Sequence, residues 1–509
     1  MPTSAETGKT KARTKVKRRA RYIQNLFLSP TFISSGNSLL PKTEALTSYP
    51  WFDSLPISHQ TPRDRGEPSG KRITFPGGIL SQKKSKIIRC PVHGDMEIPL
   101  ELLRLVDTRE FQRLRGIHQL GTAYFVYPGA SHTRFEHSLG TCWLTVQLLE
   151  RLKVQVTERE RLIILAAALL HDVTHIPYGH TLEDERRLFE RHDSRLRLER
   201  YLPQGELGKE LRKLKILNDV LSLLLDESRW ENRIFAGAVG SDLLDYLVRD
   251  AFYCGLNQRY DPRIFHYFKL EKGEIFLNSQ REGVLRQDAL SEIIHLLRIR
   301  YFLSERVYFH HTKTVSGAMI SRAVEGAMSE GLTFDEIAAQ TDEGLWSLLE
   351  WKYGDDSSVR KLMNGLRSRR FYKRVYLLTA ELDLERRQEL VERYHASSEG
   401  RSKAEHEIAK SLKLEPEDLI LYCPALKMQL KEAHLPVKID SGPRRFLDEL
   451  PVDEIGVLQE RHRRLWRFYV FLHPDKMQYA DKLSAACEAY FGESNHLPKF
   501  KTGQLYLGI

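Results

Sequence analysis

Four side chains in this 509-residue sequence have the types and order to hold one metal ion: His137, the adjacent pair His171 and Asp172, and Asp242. Imidazole nitrogens combined with carboxylate oxygens suit a borderline divalent ion, namely Mn, Fe, Zn or Ni. A core histidine or a helix-terminal aspartate accounts for any one of them alone. The stretch that holds the first three reads RFEHSLG, then the apolar run ILAAALL, then HDVTHIPYGH, which adds His175 and His180. His192 and Asp193 follow as a second His-Asp pair. A histidine can serve as acid or base near neutral pH, because its unperturbed pKa lies near ~6.5.

Several elements must position these groups. Residues 134–152 read as an apolar-faced helix carrying His137. Thr157 and Glu160 form a capping box for a second helix that is apolar nearly all round and runs to His171, so it belongs in the middle of the core. Pro177 and Gly179 end the helical pattern and leave His175 and His180 on a loop or short turn. Residues 182–201, 211–226 and 238–255 read as further helices. In the last of these Asp242, Tyr246 and Asp250 stand at i, i+4 and i+8, on one face. Two hairpins are expected, one over residues 87–99 turning at His93-Gly94 and one over 267–276 turning at 271–274. Between them, residues 100–121 have helical spacing with a break at Asp107-Thr108, and 124–129 read as a brief extended piece.

Helices are expected again at 291–304, 312–329 and 333–341. From about residue 369 the pattern changes. Residues 371–378, 419–423 and 435–440 are strand-like, whereas 384–394, 403–412, 457–472 and 477–491 read as helices. The fold class is therefore mainly α with short hairpins. Residues 1–85 form a basic, partly disordered arm with a Pro/Gly-punctuated region, 86–368 a helical core, and 369–509 a smaller α+β region. That last region carries no chemical motif and reads as a cover for the core or a subunit contact.

Composition narrows the class. Hydrophobic residues make up 41% and charged residues 29%, ordinary for a globular protein. The longest apolar run, residues 162–170, is far too short to span a bilayer, and the basic N-terminus lacks the apolar core of a secretory signal. A cytoplasmic protein with no membrane contact is expected. The 5 cysteines show no CxxC pair, which argues for a reducing compartment and against a cysteine-based zinc site. Much of the net charge of +10 comes from the Lys/Arg run over residues 9–21. Such a run suits nucleic acid or another polyanion, or serves as a solvated arm.

Four stretches carry a family resemblance: LLRLVDTREFQRLRGIHQLG, YFVYPGASHTRFEHSLG, LLHDVTHIPYGH and SDLLDYLVRD. Together they closely resemble the deoxynucleotide triphosphohydrolase branch of the HD-domain phosphohydrolases, most clearly over residues 86–315. The resemblance implies an HD-domain helical core in which His137, His171, Asp172 and Asp242 ligate the metal. It implies His192 as catalytic acid or base, with Asp193 orienting or tuning it. His175 and His180 match contacts to the α-phosphate region, and Arg134 and Arg300 match phosphate-binding arginines. Gln119 and Leu120 match residues against the deoxyribose, Asp250 the acceptor of the 3′-hydroxyl, and Tyr246 and Tyr308 the aromatic residues lining the sugar pocket. Asp107, Gln112 and Arg115 match an activator-nucleotide site. The implied ligands are deoxynucleoside triphosphates, with Mg on their phosphates, and the implied assembly is a homo-oligomer.

Two positions depart from the pattern. Leu243 stands where the best-known members have a lysine that reaches the phosphates, and Arg89 and Cys90 replace polar residues expected beside the activator. Asp107 is equally well read as a helix cap and Arg115 as a surface ion pair. Three functions follow. The first is hydrolysis of deoxynucleoside triphosphates to deoxynucleoside and triphosphate. The second is a phosphodiesterase or nuclease acting on single strands or a signalling nucleotide, which Leu243 and the basic arm favour. The third is a nucleotide-sensing or nucleic-acid-binding scaffold with an inactive centre, against which the intact ligand set speaks.

Overall fold

In the computed structural model of the chain, residues 85–426 and 430–502 are described; the basic arm and the region before residue 85 lie outside them. The described chain opens with an antiparallel hairpin, β1 (Ser85–Cys90) and β2 (Gly94–Pro99), in which Cys90 pairs with Gly94. Gly94 takes φ +77°, a conformation open to glycine at no steric cost, and this closes the expected turn. Helix α1 (Leu100–Val106) follows and stops at Asp107 as anticipated.

Three helices form the centre. Helix α2 (Arg134–Leu152) starts from a capping box between Thr133 and Glu136, and α3 (Glu158–Leu170) from the expected one between Thr157 and Glu160. Every residue from Ile164 to Leu170 is buried, so α3 has no solvent face over its second half. Helix α4 (Ser241–Tyr253) packs on α2, which packs in turn on α3. His137 on α2, His171 at the end of α3 and Asp242 at the start of α4 are thereby brought to one place.

Hairpin β3 (Phe268–Glu271) and β4 (Glu274–Asn278) leads to α5 (Gln287–Leu303) and α6 (His311–Ser329), with a π turn at Ser304–Tyr308 between the two helices. Further on come β5 (Lys373–Thr379), α7 (Ser398–Ser411), β6 (Leu419–Tyr422), β7 (Pro436–Lys438), β8 (Arg445–Phe446) and β9 (Arg467–Leu472). Strands β5, β9 and β6 make a three-stranded antiparallel sheet in that order. A four-stranded sheet has the order β8-β7-β4-β3, with β4 and β7 parallel through Leu277–Val437. No helix among the described residues is long and apolar enough to cross a membrane.

Several expected elements differ. Residues 182–201 are not one helix but a π turn at Thr181–Glu185, an irregular stretch, and a helix at Arg195–Tyr201 whose N-cap is Ser194. Glu183, Arg186 and His192 are buried here with polar partners that fix the backbone outside a helix. The helix expected at 211–226 is broken by Lys215 at φ +57° into Gly205–Lys213 and Leu217–Leu225. Residues 457–472 divide into the end of helix Asp453–Arg463 and strand β9, because RFYVFL is a central strand buried on both faces and shows no period. Residues 124–129 begin inside a 3-10 turn, Gly121–Phe125, rather than an extended piece.

The irregular stretch after the π turn is held by charge. Arg186, fully buried, bonds Glu405 of α7 at 3.0 Å, Glu325 of α6 at 2.7 Å, and the Leu421 carbonyl of β6 at 3.1 Å. Arg401 closes the group at 3.0 Å from Glu325. Burial raises the Glu325 carboxyl, but Arg186, Arg401 and Arg322 outweigh it and hold it down at about 2. A depressed carboxyl stabilises the fold fully above its unfolded value of about 4.5, and that contribution disappears as pH falls toward 2. The melting temperature is therefore expected to fall between about pH 5 and pH 3, and Glu325→Gln to flatten that part of the profile. Calorimetry of both proteins over this range checks it; equal slopes would remove Glu325 from the account.

Candidate metal centre

The four expected ligand residues converge. His137 Nε2 lies 3.0 Å from Asp242 Oδ1 and 3.6 Å from Asp172 Oδ2. His171 Nε2 lies 3.7 Å from Asp242 Oδ1 and 3.6 Å from Asp172 Oδ1. Both imidazoles have their other nitrogen occupied: His171 Nδ1 donates to the Ala168 carbonyl at 2.9 Å, and His137 Nδ1 meets Asp245 Oδ2 at 2.8 Å. A carbonyl only accepts, so the Ala168 contact places a proton on His171 Nδ1 and leaves Nε2 as the atom turned to the acids, buried without a hydrogen-bond partner. The ligand atoms of His137, His171 and Asp242 lie within 4.8 Å of one another, with Asp172 beside them, and this mix of imidazole and carboxylate fits a divalent transition ion. Burial lowers the His137 pKa, but Asp242 and Asp245 raise it to about 10, so the group of acids demands a cation, proton or metal, between them.

Asp245, which the sequence reading passed over, is fully buried and supports this centre. It receives His137, the Nε and Nη2 groups on one edge of Arg249 at 2.8 Å, and His93 from the β1–β2 turn at 2.5 Å. Gly140 makes room for it: an added Cβ would sit 1.9 Å from Asp245 Oδ1 and 2.5 Å from Arg249 Nη2. The glycine of RFEHSLG is thus a packing requirement. Its signal in the sequence was the three-residue step from Asp242 to Asp245 and the four-residue step to Arg249, which by themselves read as a surface ion pair.

Beside the ligands stands a second group. Arg134 donates to Asp172 Oδ2 at 2.6 Å and is itself buried. Gly179, at φ +51°, lets its guanidinium approach; a Cβ there would lie 3.0 Å from Arg134 Nη2. His175 and His192 stack at 3.7 Å between two carboxylates, their Nε2 atoms 3.2 and 3.4 Å from Asp172 Oδ1. On the far side Glu183 lies 3.5 Å from His175, 3.4 Å from His180 and 3.1 Å from His192, and accepts from Arg197 at 2.8 Å. Burial, then Arg134 and His192, push His175 down to about 3, so it is a neutral imidazole. His180 is half-exposed; burial opposes its charge, but Asp184 and Glu183 raise it to about 9, making it a cation at neutral pH.

The carboxylate hydrogen-bonded to His192 Nδ1 is Glu183, while Asp193 bonds Arg191 at 3.2 Å and interacts with His192 through charge alone. The cause is the loss of the expected helix: the π turn swings Glu183 inward, while Asp193 stays on the surface side.

The remaining expected residues divide into two sets. Tyr308 donates to Asp250 Oδ2 at 2.7 Å, His132 meets Asp250 Oδ1 at 2.8 Å, and the Tyr246 and Tyr308 rings stand 6.5 Å apart. Arg300 lies 5.3 and 5.1 Å from those two rings and donates to Glu432 at 3.0 Å. The other Glu432 oxygen is buried with no partner, so the region expected to cover the core or form a subunit contact brings an acid to Arg300. Leu120 is buried, the Gln119 side-chain oxygen is buried without a partner, and the Gln119 carbonyl accepts from Arg134 at 3.4 Å. The activator trio is a local cluster: Asp107 is the exposed C-cap of α1, Arg115 donates to Gln112 at 2.8 Å, and its guanidinium covers the Phe135 ring at 3.5 Å. Leu243 is buried, 4% exposed, so its position faces the core.

Comparison with known proteins gives matches over most of the described chain. Residues 134–250 match the HD domain and residues 276–497 the HD associated region. An uncharacterized protein of Methanocaldococcus jannaschii is 32% identical over 57% of this chain and 59% of its own. The deoxynucleoside triphosphate triphosphohydrolase SAMHD1 homolog of Dictyostelium discoideum is 29% identical over 58% of this chain and 60% of its own. The chain thus spans about three fifths of the length of these curated relatives. A hypothetical protein from Aquifex aeolicus has the same fold, with a TM-score of 0.60 and 24% identity over 79% of this chain and 100% of its own.

Proposed function

We propose that this chain, which belongs to the HD-domain family, is a metal-dependent phosphohydrolase that cleaves deoxynucleoside triphosphates to deoxynucleoside and inorganic triphosphate. The observation that carries the reading is the pair of buried imidazole Nε2 atoms, on His137 and His171, facing Asp172 and Asp242. A divalent ion held there supplies positive charge to phosphoryl oxygens and lowers the pKa of water at the site. Arg134 and protonated His180 neutralise charge around the α-phosphate. In its protonated form His192 keeps Nδ1–H on Glu183 and presents Nε2–H as the acid. As water attacks the α-phosphorus and the bond to O5′ breaks, that proton goes to O5′, and the proton shed by the water passes to solvent, from which His192 is reprotonated for the next turnover. Tyr246, Tyr308 and Asp250 line the sugar end, and Arg300 with Mg meets the terminal phosphates. The ion is Mn, Fe, Zn or Ni, and a homo-oligomer is the working assembly.

A second reading has its own support. Leu243 contributes no cation and Arg300 is half-engaged by Glu432, which suits a less charged phosphodiester. The test is a chromatographic product assay on protein loaded with Mn and Mg, offered each dNTP singly and in mixtures. Equal amounts of deoxynucleoside and triphosphate are expected. Shortening of single-stranded oligonucleotides without triphosphate release would overturn the proposal in favour of the phosphodiesterase.

A further inference from the structure

Asp245 has no acceptor capacity left. An ionised carboxylate offers about four lone-pair positions, and here each has a donor. Oδ2 meets Arg249 Nε and His137 Nδ1, both at 2.8 Å. Oδ1 meets Arg249 Nη2 at 2.8 Å and His93 Nε2 at 2.5 Å. Three of these donors come from the helix pair that builds the centre. The fourth comes from outside it, from the turn of the β1–β2 hairpin, and His93 keeps only 9% of its side chain exposed in doing so.

The hairpin is anchored at two places: Met96 and Ile98 of β2, 2% and 1% exposed, enter the hydrophobic core, and the turn meets α4. It is a two-stranded sheet, which on its own is marginal in water, and Ile87 on β1 is 69% exposed. At the turn Cys90 receives Arg249 at 3.6 Å, and the Val92 carbonyl receives Arg259 at 3.4 Å. The same two residues of α4, Asp245 and Arg249, therefore hold both the hairpin and the His137 ring.

We infer that His93 is a positioning residue for the metal centre: by filling the last acceptor position of Asp245 it fixes that carboxylate, which in turn orients the His137 imidazole toward the ion. The inference rests on the reading of His137 as a ligand. Removal of His93 leaves a buried acceptor without a donor, and the carboxylate can then rotate about its bidentate hold on Arg249. The partner of a ligating histidine typically changes metal affinity by about 10–100-fold. His93 acts one step further out, so about tenfold is expected.

The experiment compares wild type with His93→Ala, His93→Gln, His93→Asn and Val92→Ala. Each is titrated with Mn and, separately, with Co(II), whose visible spectrum reports ligand geometry without turnover. His93→Ala is expected to weaken binding about tenfold and alter the Co(II) bands. His93→Gln, whose Nε2–H reaches Asp245, should recover both; His93→Asn, too short, should not. Val92→Ala disturbs the packing of the turn and should bind as wild type. Unchanged binding in His93→Ala, equal binding by Gln and Asn, or equal loss in Val92→Ala would each overturn the relay while leaving the metal centre intact. Wild type that takes up no divalent ion would overturn the relay and the proposed function together. If His93→Ala does not fold, the Gln and Asn pair decides.

Discussion

Changing His171 and Asp172 together to alanine is expected to abolish divalent-metal uptake and to lower hydrolysis by at least about a thousandfold, since the ion supplies both charge and a low-pKa water. The two residues end α3 and give the centre one imidazole Nε2 and one carboxylate. Losing them leaves His137 and Asp242, too few to hold a borderline ion at ordinary concentrations. Asp172 also receives Arg134 at 2.6 Å, so the variant frees a buried guanidinium. His171→Ala alone separates the effects, because it leaves that ion pair in place. Metal content by elemental analysis and turnover by product release, on protein whose circular dichroism matches wild type, check the expectation. Activity retained in the metal-free variant would sink the metal-dependent reading.

The second large effect concerns the proton. His192→Asn should lower kcat by about 10²–10⁴ with little change in KM, the range for loss of a positioned acid or base. Glu183→Gln should give a smaller loss, because Gln keeps a contact with Nδ1 and so holds the ring in place. Asp193→Asn should leave kcat near wild type, as Asp193 bonds Arg191 and stays exposed. The comparison is direct. A large loss in Asp193→Asn with none in Glu183→Gln would favour the role for Asp193 that the family resemblance implies.

What the sequence made legible, and what it hid, divides along physical lines. The candidate ligands could be read because each sits at a helix terminus or beside a buried apolar run, and because their order along the chain is distinctive. Capping chemistry placed the start of α3 and an unbroken apolar run placed its end. The supporting residues were hidden because their roles depend on distant partners. Asp245 has a local partner, Arg249, and looks like an exposed pair, though both are 0% exposed. His93 looks like a turn residue. Glu183 lay in a stretch read as helix, where the inward swing that brings it to His192 cannot be foreseen from spacing. Glu432 reaches Arg300 from 132 residues away and belongs to no motif. Strand β9 was misread because a fully buried strand and a buried helix segment have the same apolar composition.

The parallel pairing of β4 with β7 has a consequence for how the chain is made. Leu277 waits for Val437, which emerges 160 residues later, and at about 5–20 residues per second that is roughly 8–32 s of synthesis. Helices α2, α3 and α4 are complete before then and can associate early. During the interval the β3–β4 hairpin presents an open strand edge with Phe276 and Leu277 beside it, the kind of edge that recruits other chains. Closing so long a loop is also the slow, non-local event that sets folding rates. The centre can therefore be assembled in outline on the ribosome, while the acid that steadies Arg300 arrives only when the last third of the chain has folded over it.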